Sequence, residues 1–269
     1  RRAVLAAFGG AAAAAGCADH LLAASTAAPT SHGVTAPRAT SLDLVADAVT
    51  VADGLAIIPR HMWGADLPPT RPLVPEDVRF LLVHHSATSN NVPDPRSLIR
   101  NVYAFHTSSQ KGWGDVAYNF FVAPDGSAWE GRAGSLAGPV RGDATGGNQG
   151  FSQLVCLLGN HVSTPPTPAA QQTLVRLLAW LAGRSGLAVH DGASASFVSQ
   201  GANRFAAGRT VTTSTISAHR DVTFTACPGD AAVALLPLWR RQVYDIVSAT
   251  WQTDGLQRAS RTSLRPPQV

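Results

Sequence analysis

His219 and Cys227 stand eight residues apart near the carboxyl end of the chain, and both residue types can hold a metal. A neutral imidazole and a thiolate are ligands that zinc prefers. Pro228 and Gly229 follow the cysteine and predict a turn or loop rather than a continuing helix. Two ligands do not complete a zinc site, so the rest of the chain must supply a third.

A short apolar run supplies the candidates for that third ligand. The run from Arg79 to Val83 predicts a strand that is buried on both faces, and it ends in His84 and His85. Strand ends are where α/β sheets carry functional groups. One of these histidines with His219 and Cys227 would leave a fourth zinc position open for water, as in catalytic sites. The alternative is ordinary buried histidine and cysteine side chains that hold no metal.

Strands and helices alternate around these residues. This pattern predicts an α/β fold, a single domain with a central mixed β-sheet flanked by helices. Residues 187–214 read as irregular, and the glycine-rich segment 131–150 reads as a mobile surface loop. The remaining predicted elements are a helix capped by Asp94, a hairpin that pairs 118–123 with 127–130, a buried strand at 153–158, a helix from Thr167 to Gly183 or Gly186, and helices from Asp230 and from Pro237 to about Trp251.

Composition narrows the class of protein. The chain has 269 residues, of which 45% are hydrophobic and 14% charged, which is typical of a globular core with a modestly charged surface. Lys111 is the only lysine and the net charge is +4, so no lysine-rich nucleic-acid arm is present. Cys17, Cys156 and Cys227 lie far apart, which excludes a disulfide framework typical of small secreted domains.

The ends of the chain predict export and two flexible segments. Residues 1–24 combine Arg1 and Arg2, an apolar run and small residues, as a twin-arginine-like export signal does. The stretch that ends at Cys17 resembles a lipobox, which would make Cys17 a lipid anchor; a plain cleaved signal is the alternative. Residues 25–54 are predicted to be a flexible linker, 55–252 the folded domain and 253–269 a disordered tail.

Several motifs together resemble one known family. They are V-H-H-S-A-T at 83–88, G-W-G-D-V-A-Y-N-F-F-V-A-P-D-G-S-A-W-E-G-R at 112–132 and A-H-R-D-V-T-F-T-A-C-P-G-D at 218–230. In this order, and with I-P-R-H-M-W-G-A at 58–65, they resemble the peptidoglycan recognition proteins, which belong to the type-2 zinc N-acetylmuramoyl-L-alanine amidases. The resemblance covers roughly residues 57–250.

The resemblance assigns roles around the metal. It implies that His84, His219 and Cys227 are the zinc ligands, and His85 then points away because neighbouring strand residues face opposite sides. Tyr118 corresponds to a tyrosine beside the zinc water, where a phenol can hold the developing oxyanion. Thr225 corresponds to a position that is lysine in phage amidases of this superfamily.

Other positions depart from relatives or are expected to touch substrate. Cys156 stands about where the cytoplasmic muropeptide amidases carry a glutamate base, so that base is missing and Tyr118 carries more of its role. Cys156 itself is read as an inert buried thiol. Asp143 lies near the place of an expected histidine, which weakens any transfer of stem-peptide preference. The resemblance implies zinc in a surface groove, with His106, Trp113 and Arg132 as its substrate-binding residues; the alternative for Trp113 is a place in the core. His161 and His190 are read as incidental.

The function implied by the resemblance is a zinc-dependent peptidoglycan amidase. It would hydrolyse the amide between N-acetylmuramic acid and the L-alanine of the stem peptide, by attack of water bound to Zn²⁺. The alternative is a non-catalytic peptidoglycan-binding protein on the same fold. The expected partners are peptidoglycan or muropeptides rather than nucleic acid. The protein is expected to be a monomer, exported to the cell envelope and either anchored through Cys17 or secreted.

Overall fold

The structure, a computed structural model, describes residues 47–146 and 150–263, with side chains up to residue 250. The predicted export signal lies outside the described residues. The strands are β1 (Val49–Ala52), β2 (Leu55–Ile58), β3 (Phe80–His85), β4 (Phe120–Val122), β5 (Ala128–Glu130), β6 (Ser152–Leu157), β7 (Ser194–Val198), β8 (Thr210–Ser214) and β9 (Ile216–Ala218). The helices are α1 (His61–Gly64), α2 (Pro95–Thr107), α3 (Pro168–Ser185), α4 (His219–Val222), α5 (Asp230–Val233) and α6 (Leu236–Ser263).

Seven strands form one mixed sheet in the order β1-β2-β5-β4-β6-β3-β9. The neighbours β4, β6, β3 and β9 run parallel, whereas β1 with β2 and β4 with β5 are antiparallel. Because parallel strands end at the same edge of a sheet, His85 at the end of β3 and Ala218 at the end of β9 lie at one edge. The predicted fold class, a mixed central sheet flanked by helices, is confirmed.

Strand β3 separates two apolar layers. Leu81 and Val83 belong to the core that packs against α3 and α6, while Phe80 and Leu82 belong to the core that packs against α2. All four side chains are fully buried, and burial of each contributes about 1.5–3 kcal/mol. The alternation places the next residue, His84, on the α2 side of the sheet.

Capping side chains fix the helices on both sides. Asp94 accepts a hydrogen bond from the Ser97 amide at the start of α2, and Thr167 accepts one from the Ala170 amide at the start of α3. Gly186 ends α3 in the left-handed conformation, at φ +64°. These caps confirm the predicted helix boundaries.

A buried ion pair fastens α1 to the segment before β4. Arg60 lies 2.9 Å from Asp115 and donates to the carbonyls of Leu67 and Gly131. Asp115 is fully buried and also accepts the amide of Ala133. Burial raises the pKa of Asp115, and the charge of Arg60 opposes that rise. The pair holds the segment that leads to Tyr118.

The predicted segment boundaries are wrong at both ends of the domain. Val49–Ala52 pairs with β2, so the end of the predicted linker 25–54 belongs to the sheet. Helix α6 continues to Ser263, so the predicted disordered tail 253–269 is helical over its first residues. The first error has a local signal that sequence reasoning missed, the Asp53-Gly54 dipeptide typical of a tight hairpin turn, whereas no strong apolar pattern marks the end of α6. Residues 25–46 and 264–269 lie outside the described part.

Two predicted loops are also wrong. Residues 187–214 contain the antiparallel pair β7 and β8, whose alternating side chains are mostly polar and exposed. The glycine-rich segment is packed rather than a mobile surface loop over its described residues. A Cβ on Gly131 would lie 2.5 Å from the Tyr118 carbonyl oxygen, so its glycines allow close backbone contacts.

No helix within the described residues combines the length and apolar character that crossing a membrane requires.

Candidate metal centre

His84, His219 and Cys227 converge at the common edge of β3 and β9. Their candidate ligand atoms all lie within 4.8 Å of one another, and the three side chains are almost completely buried. The two imidazole rings are 4.4 Å apart between centroids, and the Cys227 sulfur lies 3.6 Å from His84 Nδ1. His84 comes from the end of β3, His219 opens α4 directly after β9, and Cys227 follows in the next loop.

Three of the four ring nitrogens of this cluster lack protein partners. His84 Nε2 and both ring nitrogens of His219 are buried without a hydrogen bond. Burying polar atoms without partners costs free energy, and a metal ion would satisfy them. Burial lowers the pKa of His219 to about 3, and burial together with the charge of His219 lowers the pKa of His84 well below its usual value. Both rings are therefore neutral at pH 7, the form that binds zinc, so the residues fit a zinc ion.

The loop of Cys227 is positioned by backbone contacts. The His85 amide donates to the Cys227 sulfur at 3.4 Å, and the Arg220 amide donates to the Cys227 carbonyl. The Cys227–Pro228 peptide bond is cis. Gly229 has φ +97° and packs against the backbone of His161 so closely that a side chain would overlap it.

Tyr118 and His106 extend the cluster on the α2 side of the sheet. The Tyr118 ring lies 5.1 Å from the His84 ring and 5.6 Å from the His106 ring. Trp113 contacts His106 at 4.7 Å and remains partly exposed. His106 Nδ1 accepts the Ala117 amide, so its proton is on Nε2, and burial lowers its pKa to about 3. The structure thus brings three predicted site residues together beside the metal cluster.

Arg132 is held by an internal ion pair. Its side chain is buried, and its guanidinium lies 2.6 Å from Asp143 and donates to the Val116 carbonyl. Asp143, the residue that replaces an expected histidine, is thus the partner of Arg132. The predicted substrate contact of Arg132 stays a prediction, as does the surface groove.

Thr225 lies on the loop between α4 and Cys227. Its hydroxyl oxygen accepts the Cys227 amide at 3.2 Å, which leaves the hydroxyl proton for donation elsewhere. Cys156 is fully buried and stands opposite His84 in the pairing of β3 with β6. The position opposite His84 in the described sheet therefore carries a thiol and not the carboxylate of a glutamate base.

Sequence reasoning missed two features around the centre. His161 is buried, not incidental: its amide donates to His85 Nδ1, and its ring lies 6.2 Å from that of His85. Asn203, on the loop between β7 and β8, binds both the amide and the carbonyl of Phe224, at 2.8 and 3.0 Å. No local pattern in the sequence indicates either long-range contact.

Comparison with known proteins identifies the relatives. The family model described as N-acetylmuramoyl-L-alanine amidase matches residues 74–230. The human protein named N-acetylmuramoyl-L-alanine amidase is 32% identical over 222 residues, which cover 79% of this chain and 32% of that protein. Mouse peptidoglycan recognition protein 1 is 28% identical over 186 residues, which cover 68% of this chain and 87% of that protein.

Solved structures show the same fold. The Drosophila peptidoglycan recognition protein SD superposes with a TM-score of 0.52 at 22% identity, over 67% of this chain and 92% of that chain.

The match to the human relative spans about a third of that protein's length. The family model covers more than half of the chain and includes the whole of β3, β9 and the Cys227 loop. The chain therefore belongs to the N-acetylmuramoyl-L-alanine amidase family.

Proposed function

We propose that this chain is a zinc-dependent peptidoglycan amidase that cleaves the amide between N-acetylmuramic acid and L-alanine. The observation that carries the proposal is the buried cluster of His84, His219 and Cys227, with its unpartnered ring nitrogens. A site with three protein ligands has a position left for water or substrate, which distinguishes a catalytic zinc from a closed structural one. When bound, zinc supplies a Lewis acid and lowers the pKa of water.

The protein's own residues would orient the reaction. Tyr118 would donate a hydrogen bond to the oxygen of the attacked carbonyl, a role supported by the proximity of its ring to those of His84 and His106. Thr225 would be a second donor, because its acceptor oxygen is already used by the Cys227 amide. Hydrolysis adds one water: the sugar keeps the lactyl carboxylate, and the peptide leaves with the protonated amine of L-alanine. The predicted substrate contacts of His106, Trp113 and Arg132 belong to this proposal.

Two measurements test the proposal. Purified protein should contain about one zinc per chain, and Cys227→Ser should lose it while keeping its secondary structure. A digest of defined muropeptides, read by mass spectrometry, should release intact stem peptide that begins with L-alanine. Absence of that product from zinc-loaded protein would refute the amidase.

The alternative function is peptidoglycan binding without turnover. It is favoured by the similarity to mouse peptidoglycan recognition protein 1, whose name states recognition. The same digest separates the two functions, since a binding protein would retain muropeptide in the presence of zinc without changing its mass.

Export to the cell envelope is part of the proposal and is supported by the pattern of residues 1–24 alone. If Cys17 carries a lipid, the protein in its native host should partition into detergent from the membrane fraction, and Cys17→Ser should abolish that partition. A soluble wild-type protein outside the cell would indicate the plain cleaved signal instead.

A further inference from the structure

Four side chains beside the metal loop form a row of alternating cations and aromatic rings, in which one ring, that of Phe205, is partly buried and the other three side chains are exposed. The Arg204 guanidinium lies 5.4 Å from the Phe205 ring and 5.7 Å from the Phe224 ring, and the Arg209 guanidinium lies 5.6 Å from the Phe205 ring. Each distance is within the range of a cation–π contact. We name Arg204, Phe205, Arg209 and Phe224 the Arg–Phe row.

Three members of the row are exposed to solvent. The Phe224 side chain is 64% exposed, and it is the most exposed of the large hydrophobic residues in the described part of the chain. Arg204 and Arg209 are also exposed, and neither forms an ion pair with a described carboxylate. An exposed aromatic surface with unpaired guanidiniums is typical of a binding site rather than of a solvated face.

The row is fixed to the metal loop. Asn203 holds the backbone of Phe224 through both its amide and its carbonyl, and Arg204 donates to the carbonyl of Arg220. Phe224 immediately precedes Thr225, and Arg220 immediately follows the ligand His219. The loop between β7 and β8 is thus tied by hydrogen bonds to the segment that carries His219 and Cys227, and side chains held in place before binding lose less entropy on binding.

The chemistry of the row selects its ligand. Guanidinium groups bind carboxylates through paired hydrogen bonds, and aromatic rings pack against the C–H face of a sugar ring. Polymeric peptidoglycan offers both, since it carries stem-peptide carboxylates along a glycan strand. We propose that the Arg–Phe row binds peptidoglycan units that neighbour the cleaved one, so that the protein acts on polymer in preference to single muropeptides. The inference rests on the proposed function of the metal centre.

The experiment compares two double variants of the full chain. The test variant is Arg209→Ala with Phe224→Ala, which leaves the hydrogen bonds of Asn203 intact because they involve only the Phe224 backbone. The control is Arg241→Ala with Tyr244→Ala, which removes the same charge and a similar exposed ring from α6. Those residues line a cavity of about 570 Å³ at the start of β9, away from the end that carries His219.

Binding is measured by co-sedimentation with insoluble peptidoglycan in the presence of a zinc chelator, so that cleavage does not contribute. We expect the test variant to bind about tenfold more weakly and the control to match the wild type. Raising the salt from 0.1 to 0.5 M should weaken the wild type more than Arg209→Ala, because part of the attraction is electrostatic. Turnover of a single muropeptide should be equal in all three proteins.

Three outcomes would overturn the inference: unchanged binding of the test variant, an equal loss in the control, or a loss seen only while phosphate-containing wall polymers remain attached to the peptidoglycan. Loss of binding to a labelled single-stranded oligonucleotide, with peptidoglycan binding unchanged, would assign the row to nucleic acid. If the wild type fails to cleave muropeptide but binds polymer through Phe224, the proposed amidase is wrong and the binding surface remains.

Discussion

Gly229 gives the sharpest test of how the metal loop is positioned. Its backbone, at φ +97° and ψ 151°, is in a region that only glycine adopts readily, and a side chain there is strained by about 1–3 kcal/mol. A Cβ would overlap the carbonyl of His161 and come within 2.5 Å of the Val162 nitrogen. Reaching an ordinary contact of 3.4 Å with the His161 carbonyl requires a shift of about 1.2 Å, which adds about 1–3 kcal/mol.

We therefore expect Gly229→Ala to lower the free energy of unfolding by about 4 kcal/mol. Because Cys227 lies two residues earlier on the same loop, the shift should also raise the Kd for zinc at least about tenfold. Urea unfolding in chelator isolates the first effect from metal linkage, and competition with a chromogenic chelator measures the second.

Gly192→Ala is the matched control for this prediction. Gly192 also has a positive φ, +72°, but a Cβ there meets no atom within 4 Å. Its substitution should cost only the backbone strain, about 1–2 kcal/mol, and leave the zinc Kd unchanged. Equal effects of the two substitutions on stability and zinc affinity would refute the close packing of the Cys227 loop against His161.

Three further predictions concern the buried charges and the site. Arg60→Ala should lower the free energy of unfolding by about 3–5 kcal/mol, because it leaves Asp115 buried without its partner. The control is Arg79→Ala, which should change that free energy by less than about 1 kcal/mol because its partner Asp77 is exposed. Denaturant titration measures both values. Burial lowers the pKa of His106 to about 3, so below pH 6.5 the unfolded chain binds a proton that the folded chain does not, and the free energy of unfolding falls as the pH falls. Between pH 7 and pH 5, His106→Gln should therefore lose about 2 kcal/mol less of that free energy than the wild type. An equal loss would contradict the neutral buried ring. Tyr118→Phe should lower kcat by about 10²–10³ and Thr225→Val by about tenfold at full zinc occupancy, with Thr225→Ser as the active control; full activity of Tyr118→Phe would remove the phenol from the mechanism.

The sequence predicts the elements whose signals are local. The run that ends in His84 is apolar throughout, and Asp94 and Thr167 are followed by proline at the first helical position, so strand and caps can be assigned from neighbouring residues. The ligand set came from resemblance as well as residue type. The resemblance selects His84 over His85, strand alternation then turns His85 to the opposite face, and the geometry of the cluster agrees with both.

The features that could not be predicted depend on distant partners. Phe197 and Val211 pair across a long loop, residues 199–209, so no tight-turn motif indicates the hairpin β7 and β8. The burial of His161 results from the approach of Gly229, and the packing of Gly131 results from contacts with Tyr118 and Phe121. Each of these contacts joins segments whose proximity is set only by the completed sheet.

The pairing of β3 with β9 also has a consequence for the order of folding. His84 and Cys227 are 143 residues apart in the chain, and the metal cluster exists only when the last strand has added to the edge of the sheet. Zinc would therefore bind late, after nearly the whole domain has formed. Its binding free energy would stabilise the pairing of β3 with β9. A chain that stops before β9 would retain most of the core but no metal centre, so zinc uptake during refolding would report the final step of assembly.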